Sequence, residues 1–105
     1  MISEKLTLEI KKRLLSKFNI EKIILFGSQA RGTANEKSDV DLLIISSKIR
    51  NRLKLIDKID SSLEGLKLAR DIIVLSNKEF ESDKMIPGTI ARYAFVEGKI
   101  LYEKF

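Results

Sequence analysis

Two hydrophobic periods alternate along this chain. Leu6, Ile10, Leu14 and Phe18 recur at every fourth position behind Ser3. That spacing predicts a first amphipathic helix over roughly residues 4–18, capped by Ser3 and ending near Asn19. The period then shortens. Ile23, Ile24, Leu25 and Phe26 form an apolar run closed by Gly27, which predicts a buried strand over residues 22–26. Gln29-Ala30-Arg31 predicts a short helix stopped by Gly32, and residues 33–37 read as a polar loop. Val40 to Ile45 is apolar except for Asp41, so a second strand is expected, central and covered on both faces.

Beyond Ser47 the helical period returns. Ile49, Leu53, Ile56, Ile59 and Leu63 predict a second long helix that Gly65 ends. Asp71-Ile72-Ile73-Val74-Leu75 reads as a third strand, and Ser76-Asn77-Lys78-Glu79 has the form of a capping box that opens a short helix. Pro87-Gly88 breaks the chain. Residues 89–96 then read as a last helix carrying Ile90, Ala94 and Phe95, and residues 99–102 as an extended piece at the edge of a sheet. Ile90, Ala94 and Ile100 are expected in the core. The alternation of helices and strands predicts an α/β layer fold.

Composition narrows the choice of chemistry. A length of 105 residues predicts a single domain, residues 1–105, with no repeat or linker within it. The net charge of +5 favours an acidic partner, a nucleotide or a nucleic acid. Lys48, Arg50, Arg52, Lys54 and Lys58 line the polar side of the second helix. Without interleaved aromatics they read first as a solvated surface. No cysteine is present, so thiolate chemistry is excluded. No histidine is present either, which leaves carboxylates for any work on a metal. No apolar run reaches the length of a membrane span and no signal peptide opens the chain, so a cytoplasmic location is expected.

The candidate chemistry gathers at strand ends. Side chains alternate along a strand, so Asp39 and Asp41 share one face at the start of the second strand. Two like charges side by side are costly unless a cation lies between them. Gly27-Ser28 ends the first strand, where backbone amides and a hydroxyl can meet β- and γ-phosphates. Asp71 opens the third strand. If the second and third strands are neighbours, three carboxylates converge and fit two magnesium ions bridged by Asp39 and Asp41. Asp71 would then bind the metal on the nucleophile side and accept a hydroxyl proton. Plainer readings stand beside this one: a turn that only connects, an Asp41–Arg31 pair and an Asp71–Arg70 pair. Other phosphate and metal sites fit worse. Residues 27–32 lack the Gly-Lys-Ser/Thr end of a P-loop and the Gly-x-Gly-x-x-Gly of a dinucleotide fold. Leu42, Leu43 and Ile44 stand where an EF-hand needs oxygen ligands.

Taken together, Gly27-Ser28, Ala30-Arg31-Gly32, Ser38, Asp39-Val40-Asp41, the Asp71-Ile72-Ile73-Val74 strand and the closing segment around Ala94 to Glu103 resemble one family. It is the MNT-type minimal nucleotidyltransferases of the DNA polymerase β-like superfamily. The resemblance spans essentially the whole chain, with no departure at the motif positions. It implies a small mixed sheet flanked by helices, of the polymerase β palm type. It also implies transfer of a nucleotidyl group, most often AMP from ATP, with magnesium. In many prokaryotic pairs such a protein is the antitoxin of a HEPN-domain ribonuclease toxin, and in some it adenylylates a tyrosine of that toxin. Carried over, Asp39 and Asp41 are metal ligands, Asp71 is metal ligand and base, and Gly27 and Ser28 hold phosphate. Arg31 either assists the phosphates or braces its loop, the second being favoured. A chain of this size leaves the site open, to be completed by the acceptor, a helical partner or another copy of itself. An RNA or small-molecule acceptor stays open. The rival reading is a binding module that neutralises its partner by occlusion.

Overall fold

In the computed structural model, which describes residues 2–32 and 39–104, the chain begins as its polar and apolar pattern requires. The Leu6 amide donates to the Ser3 hydroxyl at 3.1 Å and starts α1 (Glu4–Lys17), whose buried side carries Ile10 and Leu14. β1 (Ile20–Phe26) starts two residues before the expected boundary. Gly27 then turns the chain into the single turn α2 (Ser28–Arg31), and Gly32 stops it in the left-handed conformation. The polar stretch 33–38 lies outside the described residues.

β2 (Val40–Ser46), α3 (Arg52–Ser62) and β3 (Arg70–Ser76) follow. The Ser76 hydroxyl accepts from the Glu79 amide and the Glu79 carboxylate accepts from the Ser76 amide, completing the expected capping box of α4 (Asn77–Asp83). Thr89 caps α5 (Ile90–Glu97), and β4 (Lys99–Glu103) closes the order. The strands form one mixed sheet, β3-β2-β1-β4. β1 runs antiparallel to β2 and to β4, whereas β2 and β3 are parallel, with α3 lying between them in sequence.

Both faces of the sheet centre are covered. On one face Ile23, Leu25, Val40, Leu42 and Ile44 pack with α1 and with Ile59 of α3. On the other Ile24, Phe26, Leu43 and Ile45 meet Phe80 of α4 and Ala91 and Ala94 of α5. This is why β2 reads as a continuous apolar run, and why Asp41 stands out in it. Each fully buried isoleucine or leucine there contributes about 1.5–3 kcal/mol against exposure.

Leu53, Ile90 and Ile100 differ from expectation, and Phe95 is exposed beside them. Leu53 is 75% exposed, because α3 starts at Arg52 behind the Asn51 cap and turns Leu55, Ile56 and Ile59 inward instead. Ile90 and Phe95 are also largely exposed. α5 rests on a narrow strip of small residues, Ala91 and Ala94, and only Ala94 of the three expected core residues is buried. Ile100 is 52% exposed, since β4 has a neighbour on one side only. Arg52 is drawn off the basic surface by a 2.9 Å pair with Glu79 and a hydrogen bond to the Val74 carbonyl. Among the described residues no helix is long and apolar enough to cross a membrane.

Candidate active site

The sheet register brings three chain segments to one edge. β1 ends where β2 begins, so Phe26 lies opposite Asp41. β3 runs parallel to β2 in a register that sets Asp71 opposite Asp41. The condition for Asp71, that β2 and β3 be neighbours, is therefore met. Asp39 immediately precedes β2 and is exposed, as is Asp71, while Asp41 is half-buried.

Gly27 completes this edge. Its φ of +75° lies in the region that disfavours side chains. A Cβ there would run into the Asp41 carboxylate, so only glycine lets the α2 turn come this close to β2. The Ala30 and Arg31 amides donate to the Gly27 carbonyl at 3.2 and 3.1 Å. Ser28 is the first residue of α2 and half-buried.

Electrostatics mark Asp41 as the strained member. Its pKa is raised by burial first, then by the charges of Asp71 and Asp39, with Arg31 acting in the opposite direction. Among the described residues no three acidic groups are drawn into a finished cation cage. Asp39, Asp41 and Asp71 lie at one edge of the sheet, where the charges of Asp39 and Asp71 act on Asp41. Oxygen donors alone, with two exposed carboxylates repelling a half-buried one, fit a hard divalent cation such as magnesium. Asp39, Asp41 and Asp71 would hold it.

The plainer pairings are taken up elsewhere. Arg70 pairs with Asp60 at 2.7 Å and donates to the Asp60 carbonyl at 2.9 Å, so it serves α3 and not Asp71. Arg31 reaches α5, where its guanidinium lies 3.4 Å from Glu97 Oε2 and 5.8 Å from the centre of the Tyr93 ring. Tyr93 in turn meets Phe26 edge-on at 5.9 Å. These contacts tie α2 to α5. Tyr93 had no signal of its own in the sequence, and Glu97 stood out only as part of the closing segment. Glu97 lies 66 positions from Arg31, and only the packing of α5 on β1 joins them.

With this geometry in place, comparison with known proteins is informative. Residues 8–100 match the nucleotidyltransferase domain family. A Methanocaldococcus jannaschii protein classed as a protein adenylyltransferase is 36% identical over 104 residues, covering 97% of this chain and all of that protein. The crystal structure of a Sulfolobus solfataricus protein classed as a nucleotidyltransferase superposes with a TM-score of 0.67 at 26% identity, over 95% of this chain and 79% of that one. A structure of a tri-AMPylated Shewanella oneidensis HEPN toxin in complex with MNT antitoxin shares the fold, with a TM-score of 0.57 at 20% identity over 93% of this chain and 70% of that one. Matched over most of its length, and with its carboxylates and glycine turn gathered at one sheet edge, the chain belongs to the nucleotidyltransferase domain family.

Proposed function

We propose that this chain moves AMP from ATP to a hydroxyl of a partner protein, and that the partner is a HEPN-type toxin which it restrains as an antitoxin. The family supports nucleotidyl transfer. The adenylyltransferase relative and the AMPylated toxin seen with an MNT antitoxin support a protein acceptor. The observation that carries the reading is the β2–β3 register that sets Asp41 beside Asp71, under a glycine turn with no room for a side chain.

Each residue has a part. Asp39, Asp41 and Asp71 would hold two magnesium ions, which would supply positive charge for the triphosphate and for the leaving pyrophosphate. Gly27 and Ser28 hold the β- and γ-phosphates through the turn amides and the serine hydroxyl. The acceptor oxygen forms a bond to the α-phosphorus while the bond from that phosphorus to the β-phosphate oxygen breaks. A carboxylate oxygen of Asp71 takes the acceptor's proton, a role no histidine can fill here. Pyrophosphate carries away the leaving electron pair. Residues 1–105 act as one nucleotidyltransferase domain.

The test is ATP labelled at its α-phosphate, incubated with magnesium, the protein and the partner that co-purifies with it. Label moving to the partner with wild type, and at least about a hundredfold less with Asp39→Asn, Asp41→Asn, is the expected result. Label on RNA would change the acceptor. No movement of label in the intact complex would favour occlusion.

A further inference from the structure

Arg31 occupies an unusual position between two acidic groups. Its amide is bonded to the Gly27 carbonyl, and the Cα of Gly27 faces the Asp41 carboxylate. Its guanidinium is nonetheless engaged by α5, with Glu97 at 3.4 Å and the Tyr93 ring beneath it. Tyr93 is fixed in turn against Phe26, the residue opposite Asp41. A long cation one helical turn from the glycine that meets Asp41 has a strong alternative, which is to fold onto that carboxylate and its neighbours. An arginine there would satisfy Asp41 by paired hydrogen bonds and stand where a metal has to bind.

We propose that Glu97 and Tyr93 are positioning residues that hold Arg31 toward α5 and so keep the carboxylate edge clear for a divalent cation. This rests on the reading of Asp39, Asp41 and Asp71 as metal ligands. Arg31 stays close enough to lend positive charge to the site without occupying it. Both partners of the 3.4 Å pair are about two-fifths exposed, so the restraint is weak and its loss has a measurable, limited effect.

The test needs neither partner nor turnover. Magnesium is titrated into the nucleotide-free protein and half-saturation is read from the rise in melting temperature. Wild type, Glu97→Gln, Arg31→Gln and the Glu97→Gln, Arg31→Gln double variant are compared, with Asp41→Asn as the control for binding at this edge. Glu97→Gln is expected to raise the half-saturating magnesium concentration roughly two- to fivefold, and adding Arg31→Gln is expected to restore it. Tyr93→Phe, which keeps the ring, is expected to behave as wild type. A tie that only joined α2 to α5 would give Glu97→Gln and Arg31→Gln the same lower melting temperature and leave half-saturation unmoved. That result, or a double variant no better than Glu97→Gln, would overturn the proposal while leaving the metal site standing. A wild-type response that Asp41→Asn does not abolish would overturn both.

Discussion

Asp41 is where function and folding pull apart. Its neighbours along β2 are buried hydrocarbons, and the strand beside it presents Asp71 at the same level. The raised pKa means that the folded protein binds a proton there more readily than the unfolded chain does. Protonation therefore favours folding, and that benefit fades as the pH rises through the folded-state value. At neutral pH, without a cation, the charged carboxylate works against the fold. Asp41→Asn keeps the shape and removes the charge, so its melting temperature without metal should exceed that of wild type by a few degrees. A lower value in a thermal scan would mean that Asp41 is a structural anchor instead. Gly27 is tied to the same point. Its alanine variant is expected to lose about 1–2 kcal/mol from backbone strain, before the clash with Asp41 is counted.

The elements show what a sequence can and cannot disclose. α1, β2 and α4 were legible because their signals are local: a four-residue apolar stripe, one unbroken apolar run and a capping box. Gly27-Ser28 and Asp39-Val40-Asp41 stood out for the same reason, and the β1–β2 register brings Gly27 against Asp41. The parallel register of β3 was not, because it depends on how α3 carries the chain across, and it decides whether Asp71 joins the site. α5 misled through its size. Ile90 was expected in the core with Ala94, yet Ala94 is buried with Ala91 and Ile90 is not, because the helix lies too close to β1 for a larger side chain. Gly98 belongs to this close approach, since a Cβ there would strike the Ala94 carbonyl and the Ile24 side chain. Gly98→Ala should cost about 1–3 kcal/mol in denaturant unfolding, and an unchanged midpoint would refute the tight seat.

The α3–β3–α4 junction gives a pH-dependent prediction. The Glu79 pKa is lowered by the Ser76 amide and by Arg52. Its contribution to stability is thus present above the ordinary glutamate value and is lost as the pH falls through the lower folded value. Glu79→Gln should therefore melt below wild type at neutral pH, with the gap closing in acid. A gap that stayed constant across that range would assign the difference to shape alone.

At the scale of the whole molecule, a four-stranded sheet covered by helices holds one end of β1 and the starts of β2 and β3 in a common edge. The carboxylates and the glycine turn lie at that edge, and the acceptor has to come to it. The central claim is that this edge transfers AMP to a partner. The most direct measurement is the intact mass of the HEPN-type partner isolated from cells that co-produce it with either wild type or Asp39→Asn, Asp41→Asn. The account predicts a partner heavier by one or more AMP units with wild type and unmodified with the double variant. An unmodified partner in both, still bound and still neutralised, would contradict it.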